Sequence, residues 1–296
     1  MMARGHHVVL ACRRHDACEA ARRELAARCP AGSAQCSPLD LLDYASASPA
    51  SVTSFARRFA LEFPGAQLAA LVNNASVMGA PPGPGGEDPH LSPNHFGPFL
   101  LTRLLLPSMA PHARIVTVGS EAHRRGSLEL EREGELEGEK NSGGGGAVPA
   151  GRRRLRGGRG AHWYRQYARS KLANALMTAE LNRRLEARGS TVTACCASPG
   201  RVATNIFHSL GGVLGPVLRS LASLAFQTPQ QGASTVVQAA TAPELQGRRV
   251  LYMHAGGEQA AAPAALDPAL ARGLWEVSVR ETGMSAAQDD ALWPNW

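Results

Sequence analysis

The sequence predicts one α/β domain over residues 1–296, built on a doubly wound, mainly parallel sheet. Short apolar runs alternate with longer segments of helical periodicity, and this alternation is typical of βαβ units. A chain of 296 residues with 44% hydrophobic and 19% charged residues also has the composition of a globular domain with a sizeable core.

Five apolar runs are predicted to be strands, namely Val8–Cys12, Leu68–Val72, Ile115–Val118, Thr191–Cys195 and Arg249–Tyr252. Helical patterns occupy about 16–27, 48–63, 96–109, 164–188 and 229–240. Strands with such continuous apolar character are buried on both faces of a sheet. In doubly wound sheets, ligands bind beyond the carboxyl ends of the strands, so those ends are where functional residues are expected.

Two segments interrupt the alternation. Residues 79–93 are rich in proline and glycine, and residues 129–160 run from glutamates through four glycines into a cluster of arginines. The second segment has too little apolar content to offset the entropy lost on ordering. It is predicted to be a disordered surface insertion within the domain, the alternative being an acidic-then-basic interaction arm.

The basic character of the chain is local. The net charge is +7, and it falls to +2 without the five arginines between Arg152 and Arg159. No nucleic-acid-binding motif accompanies them, so no nucleic-acid partner is predicted.

The six cysteines form no C-x-x-C pair and no zinc-like spacing with histidine, so no metal site is predicted. Cys12, Cys195 and Cys196 lie in strand-like runs and are interpreted as buried thiols, which fits a reducing compartment. No apolar stretch is long enough for a membrane span. Residues 210–226 come closest, and they are interpreted as lining a substrate pocket or as a membrane-surface patch.

Tyr167 and Lys171 carry the clearest chemical signal. They lie four residues apart at the start of an amphipathic helix and therefore share one face. A phenol beside an ammonium can exchange a proton near neutral pH. The spacing alone is weak, but Ser120 follows the predicted strand Ile115–Val118, and a hydroxyl at that position would reach the same edge of the sheet.

Further polar or turn residues follow other strands, with Asn73 and Ala75 after Leu68–Val72 and Pro199-Gly200 after the strand ending near Ala197. The runs LVNNAS, NHFGPFLLTRLLLP, RIVTVGSEAH, YARSKLANALMTAEL and ASPGRVATNI together resemble the short-chain dehydrogenase/reductase superfamily along most of the chain. Within it the sequence is most similar to the retinol dehydrogenase branch. The resemblance implies a Rossmann-like fold.

Carried over to the matching positions, the resemblance implies that Tyr167 is the general acid or base. Lys171 would lower the pKa of Tyr167 and bind the nicotinamide ribose, Ser120 would hold the substrate oxygen, and Asn94 would support a proton-relay water. The implied cofactor-binding residues, besides Tyr167 and Lys171, are Arg13, Asp40, Leu41, Asn73, Ala75, Pro199, Gly200, Val202 and Thr204.

Arg13 and Arg14 follow the strand Val8–Cys12, at the position that selects the cofactor. A guanidinium there can bind a 2′-phosphate with forked, charge-assisted hydrogen bonds, whereas a carboxylate would bind the ribose hydroxyl of NAD. The arginines therefore favour NADP(H). The alternative is that they are surface residues at the start of the next helix.

One departure from the family concerns its glycine-rich turn, T-G-x-x-x-G-I-G, which should precede Val8. The sequence contains neither this turn nor the first strand before it. Glycines in such a turn let the backbone approach a pyrophosphate. Without the central first strand, neighbouring strands are expected to have unpaired backbone groups.

Two hypotheses follow. The first is an NADP(H)-dependent oxidoreductase that interconverts a lipophilic alcohol and carbonyl, as in retinol metabolism, associated with the endoplasmic reticulum membrane as the branch implies. The second is a truncated, catalytically inactive dehydrogenase-fold protein that cannot bind cofactor. The sequence leaves open whether the chain forms a homodimer.

Overall fold

A computed structural model describes residues 1–65, 67–80, 88–132, 153–155, 162–200 and 229–294. The helices in these ranges are α1 His15–Arg28, α2 Val52–Glu62, α3 Gly97–Leu105, α4 Trp163–Glu186, α5 Pro229–Thr241, α6 Pro268–Glu281 and α7 Ala286–Ala291. The strands are β1 His7–Cys12, β2 Ser33–Pro38, β3 Leu68–Asn73, β4 Met109–Val118, β5 Leu130–Arg132, β6 Arg153–Leu155, β7 Thr193–Ser198, β8 Tyr252–His254 and β9 Gly257–Glu258.

The predicted α/β class is confirmed. Strands β3, β4, β7 and β8 are parallel neighbours in that order, and β9 adds an antiparallel edge. Side chains alternate between the two faces of β4. Ile115 packs with α3 and α4, whereas Val116 packs with Ala239 and Ala240 of α5. Helices therefore cover both faces, which is why these strands are apolar throughout.

The last predicted strand is displaced along the chain. It was expected over Arg249–Tyr252, but β8 covers Tyr252–His254. The Arg249 guanidinium donates hydrogen bonds to the carbonyls of Ser190, at 2.6 Å, and Val192, at 3.0 Å. The Arg249 side chain, rather than a strand at this position, therefore contacts the residues just before β7.

Strands β1 and β2 form a separate parallel pair. Both β1 and β3 line a groove of about 1340 Å³, and its walls include Val8, Leu10, Phe59 and Leu101. Among the described residues, no strand lies between β1 and β3. The facing edges of the two strands therefore carry backbone groups without a ladder partner there, as the sequence predicts for an interrupted sheet.

Two short parts of the segment predicted to be disordered, Leu130–Arg132 and Arg153–Leu155, are ordered as strands. β5 and β6 pair in antiparallel fashion, with Leu130 opposite Leu155, and both leucines pack against a core cluster that contains Leu172 and Leu274. These apolar contacts explain why the two strands differ from the prediction. Residues 133–152 and 156–160 of the segment lie outside the described ranges.

Cys18 and Cys36 form a disulfide that the sequence analysis did not predict. Cys18 lies on α1 and Cys36 on β2, and α1 packs against β2, which brings the two Cα atoms to 6.0 Å. Their separation of 18 residues carries no recognisable motif. Cys195 and Cys196 are free and buried as expected, while Cys12 is free and half-buried.

Helices α6 and α7 complete the core at the end of the chain. Trp275 of α6 and Trp293, just after α7, pack into the cluster that contains Phe99 and Leu105. Within the described ranges, no helix is both long and apolar enough to cross a lipid bilayer.

Candidate functional site

Tyr167 and Lys171 lie on the second and third turns of α4, whose N-terminus is capped by the His162 side chain. Both are buried, with 8% and 1% of their surface exposed. The Lys171 Nζ donates a hydrogen bond to the Val118 carbonyl at 2.9 Å and lies 5.5 Å from the centre of the Tyr167 ring. Helix α4 thus holds the pair against the end of β4.

Ser120 reaches the same point from the end of β4. Its hydroxyl accepts a hydrogen bond from the Ala122 amide at 3.2 Å, which caps the short 3-10 helix Glu121–Arg125. The Ser120 side chain is also close enough to the Tyr167 phenol to lower the pKa of Tyr167. Ser120, Tyr167 and Lys171 are therefore brought together, although they come from separate parts of the sequence.

The pKa values of the pair are set mainly by burial. Burial raises the pKa of Tyr167 above its usual value, and the hydrogen bond from Ser120 opposes that rise. The net direction is upward because desolvation is the larger effect. The lowering of this pKa by Lys171, which the resemblance implies, stays a prediction. Burial also lowers the pKa of Lys171 to about 8.

His123 supports Ser120 and was not predicted from the sequence. Its Nδ1 lies 2.8 Å from the Ser120 carbonyl oxygen, and its Nε2 accepts a hydrogen bond from the Ala262 amide at 3.0 Å. Both contacts are made together only by a neutral imidazole with its proton on Nδ1. Burial lowers the pKa of His123, which favours this neutral form.

Asn94 lies in a π-helical turn, Ser92–Phe96, directly before α3. Its amide nitrogen donates to the Val77 carbonyl at 2.9 Å and to the Ser170 hydroxyl at 3.0 Å, and its oxygen accepts from the Val77 amide at 2.7 Å. Asn94 therefore ties the loop after β3 to α4, beside Tyr167 and Lys171. The support of a proton-relay water by Asn94, which the resemblance implies, stays a prediction.

Residues predicted to bind the adenosine side of a cofactor line one end of the groove between β1 and β3, and they are Arg13, Asp40, Leu41, Asn73 and Ala75. Arg13 is exposed. Asn73 is buried and donates to the Thr102 hydroxyl at 2.9 Å, which holds the end of β3 against α3.

Pro199 and Gly200 directly follow β7, at the same edge of the sheet as Ser120. The Gly200 amide donates to the Ser198 hydroxyl at 3.4 Å. Val202, Thr204 and the apolar segment 210–226 lie outside the described residues.

The fold and the position of these side chains define a class, that of α/β proteins with polar groups gathered at the carboxyl edge of a doubly wound sheet. No family model matches the chain. The polyprenol dehydrogenase of Mus musculus is 38% identical over 264 residues, covering 86% of this chain and 70% of the relative. Dehydrogenase/reductase SDR family member 13 of Homo sapiens is 35% identical, over 97% of this chain and 69% of the relative.

Retinol dehydrogenase 14 of Homo sapiens is also 35% identical, over 95% of this chain and 80% of its own length. Among solved structures, an uncharacterised protein of Mycobacterium paratuberculosis is 28% identical with a TM-score of 0.60, covering 96% of this chain and 95% of that one. The NADPH-bound carbonyl reductase from chicken fatty liver is 18% identical with a TM-score of 0.53, over 86% of each chain, and shares the fold.

The chain belongs to the short-chain dehydrogenase/reductase superfamily, in the branch that includes the retinol and polyprenol dehydrogenases. The chemistry of this class is oxidation and reduction at an alcohol or carbonyl carbon.

Proposed function

We propose that this protein is an NADP(H)-dependent oxidoreductase that interconverts a lipophilic alcohol, of the retinol or polyprenol kind, with its carbonyl. The observation that carries the proposal is the convergence of Ser120, Tyr167 and Lys171 at the end of β4. A hydroxyl, a phenol and an ammonium gathered in this way support proton exchange with a carbonyl or alcohol oxygen.

Each residue has a distinct role in the proposal. The Tyr167 hydroxyl gives its proton to the carbonyl oxygen, or accepts the alcohol proton in the reverse direction, while the Ser120 hydroxyl holds that oxygen in place. Lys171 supplies a positive charge near the phenol, and Asn94 keeps α4 in position through Ser170. A nicotinamide cofactor, when bound, supplies the hydride chemistry.

The groove residues fit such a cofactor at its adenosine end. Asp40 and Leu41 line the same groove as the exposed Arg13 and Arg14, and two guanidinium groups favour a 2′-phosphate over a free hydroxyl. This supports NADP(H) rather than NAD(H). The names of the relatives support a lipophilic alcohol as substrate, and an enzyme of that kind would work at the endoplasmic reticulum membrane.

The first test measures binding and turnover in the full 296-residue chain. We expect saturable binding of NADPH, tighter than that of NADH, and reduction of retinaldehyde. Because general acid catalysis contributes about 10²- to 10⁴-fold, Tyr167→Phe should lower kcat by at least about 100-fold with little change in NADPH binding. Tyr164→Phe, one turn earlier on α4, is the matched control and should leave kcat near the wild-type value. Equal turnover by the Tyr167→Phe and wild-type proteins would reject the role of Tyr167.

A second candidate is a dehydrogenase-fold protein without catalysis. The observation that favours it is the separation of β1 from β3, with no strand and no glycine-rich phosphate-binding turn between them among the described residues. A folded wild-type chain that shows no saturable binding of NADPH or NADH would select this candidate over the enzyme.

A further inference from the structure

The carboxylate of Glu121, the residue directly after Ser120, is the centre of a polar network. The Tyr252 hydroxyl donates to its Oε1 at 2.5 Å, and the Arg124 Nε donates to its Oε2 at 3.1 Å. The Nδ1 of His254 lies 3.8 Å from Oε1. The turn after β4 is thereby joined to both ends of strand β8.

The network continues to the turn after β7. The same His254 nitrogen lies 3.1 Å from the Ser198 hydroxyl. That hydroxyl is also close enough to the Tyr252 phenol to act on the pKa of Tyr252. The Ser198 hydroxyl also accepts a hydrogen bond from the Gly200 amide at 3.4 Å. One chain of contacts therefore runs from Glu121 through Tyr252 and His254 to the Pro199-Gly200 turn.

The network runs from the surface into the core, since the Glu121 side chain is 45% exposed and its partners Tyr252 and Ser198 are buried. Tyr252 is fully buried and Ser198 is 1% exposed, so water does not compete freely for their hydroxyl groups. Burial alone would raise the pKa of Glu121, but the hydrogen bonds from Tyr252 and Arg124 bring it below its usual value. Hydrogen bonds to an ionised group are stronger than neutral ones, so the Glu121 carboxylate is the dominant acceptor.

No short sequence motif predicts this network. Glu121, Ser198 and Tyr252 are far apart in the chain, and they meet because parallel strands β4, β7 and β8 end at the same edge of the sheet. Ser120 borders the proposed substrate oxygen, and Pro199-Gly200 borders the proposed nicotinamide position. The network thus connects the two turns between which the reaction would take place.

We propose that Glu121 is a positioning residue, whose carboxylate couples the Ser120 turn to the Pro199-Gly200 turn through Tyr252, His254 and Ser198. The coupling keeps the substrate side and the cofactor side of the site in a fixed relation. Its consequence for catalysis rests on the proposed function above, whereas the coupling itself is a property of the folded chain.

Hydrogen exchange tests the coupling without any need for activity. In Glu121→Ala, the peptide that contains Gly200 should exchange about threefold faster, or more, although it is remote in sequence from the substitution. Glu121→Gln keeps an acceptor oxygen and should restore part of the protection. Glu276→Gln, at an exposed position on α6, is the control and should leave the Gly200 peptide unchanged.

A substitution at the other end of the network tests whether the effect is more than local. Ser198→Ala should accelerate exchange in the peptide that contains residues 120–122, and the effects of Ser198→Ala and Glu121→Ala should be less than additive in the double variant. Should Glu121→Ala unfold the chain, Ser198→Ala and Tyr252→Phe give the same readout. Exchange that rises only next to each substitution would overturn the proposal.

Kinetics provide the functional measurement. If the wild-type chain is active, Glu121→Ala should lower kcat/KM by about tenfold, because small displacements of positioned groups are costly, and Glu121→Gln should recover part of the loss. If the wild type neither binds NADPH nor turns over, the proposed function fails, and the exchange experiment still decides the coupling. Unchanged kcat/KM in Glu121→Ala would contradict the role in catalysis.

Discussion

Gly119 links β4 to Ser120, and the space beside its Cα atom is already filled. A Cβ atom at this position would lie 2.5 Å from the Cys196 Sγ. Cys196 is fully buried and its thiol lies close enough to Lys171 for the two groups to interact electrostatically. A side chain on Gly119 would therefore push β4 away from β7 and disturb Ser120 and Lys171 together.

We expect Gly119→Ala to lower the free energy of unfolding by about 1–3 kcal/mol, the usual effect of overpacking a core. Urea unfolding monitored by circular dichroism measures the change. Gly257→Ala is the matched control, since no heavy atom lies within 4 Å of a Cβ built there, and a change within about 0.5 kcal/mol is expected. Equal effects of the two substitutions would show that the contact with Cys196 is unimportant.

At the scale of the elements, α7 is held to α3 by one buried ion pair. Arg103 of α3 is fully buried, and its Nε donates to the Asp289 Oδ1 at 2.6 Å. The Trp275 indole donates to the other oxygen of Asp289 at 3.1 Å, and the Arg103 guanidinium lies 4.0 Å from the centre of the Trp293 ring. Asp289 thus links α7 to both α3 and α6.

Removal of Asp289 would leave the Arg103 charge buried without its partner. We expect Asp289→Ala to reduce the free energy of unfolding by about 3–5 kcal/mol, because an uncompensated buried charge is costly. The neighbouring Asp290 is 82% exposed in its ion pair with Arg188. Asp290→Ala should therefore change stability by less than about 0.5 kcal/mol in the same urea titration. Comparable losses in both variants would argue against a special role for Asp289.

At the scale of the whole molecule, two buried histidines make the fold sensitive to acid. Burial lowers the pKa of His95 from 6.5 to about 4, and it lowers the pKa of His123 as well. Below pH 6.5 the unfolded chain binds these protons and the folded chain resists them. Their contribution to stability is thus fully present above about pH 6.5 and is lost as the pH falls towards 4.

The lowered pKa of His95 alone contributes about 3 kcal/mol to the free energy of unfolding at neutral pH. The urea concentration at the midpoint of unfolding should therefore fall between about pH 7 and pH 4. His95→Gln should flatten this dependence, since it removes the titrating group. The matched substitution His15→Gln, at an exposed position at the start of α1, should leave the dependence unchanged. A His95→Gln variant that is as acid-sensitive as the wild type would refute the assignment.

Much of the fold was predictable from local patterns in the sequence. The apolar run at Ile115–Val118 and the helical pattern after Tyr164 are encoded within a few residues, because side-chain periodicity follows directly from strand and helix geometry. For the same reason Tyr167 and Lys171 were placed on one face of a helix. The strand-end positions of Ser120, Asn73 and Pro199 followed from the order of these elements.

Contacts between distant residues were decided only by the tertiary structure. The Cys18–Cys36 disulfide, the Arg103–Asp289 pair and the link from Glu121 to Ser198 each join residues that no short motif relates. The upward direction of the Tyr167 pKa also depends on burial, which the i, i+4 spacing does not specify. Local periodicity determines which elements form, but packing determines which side chains meet and how much water they keep.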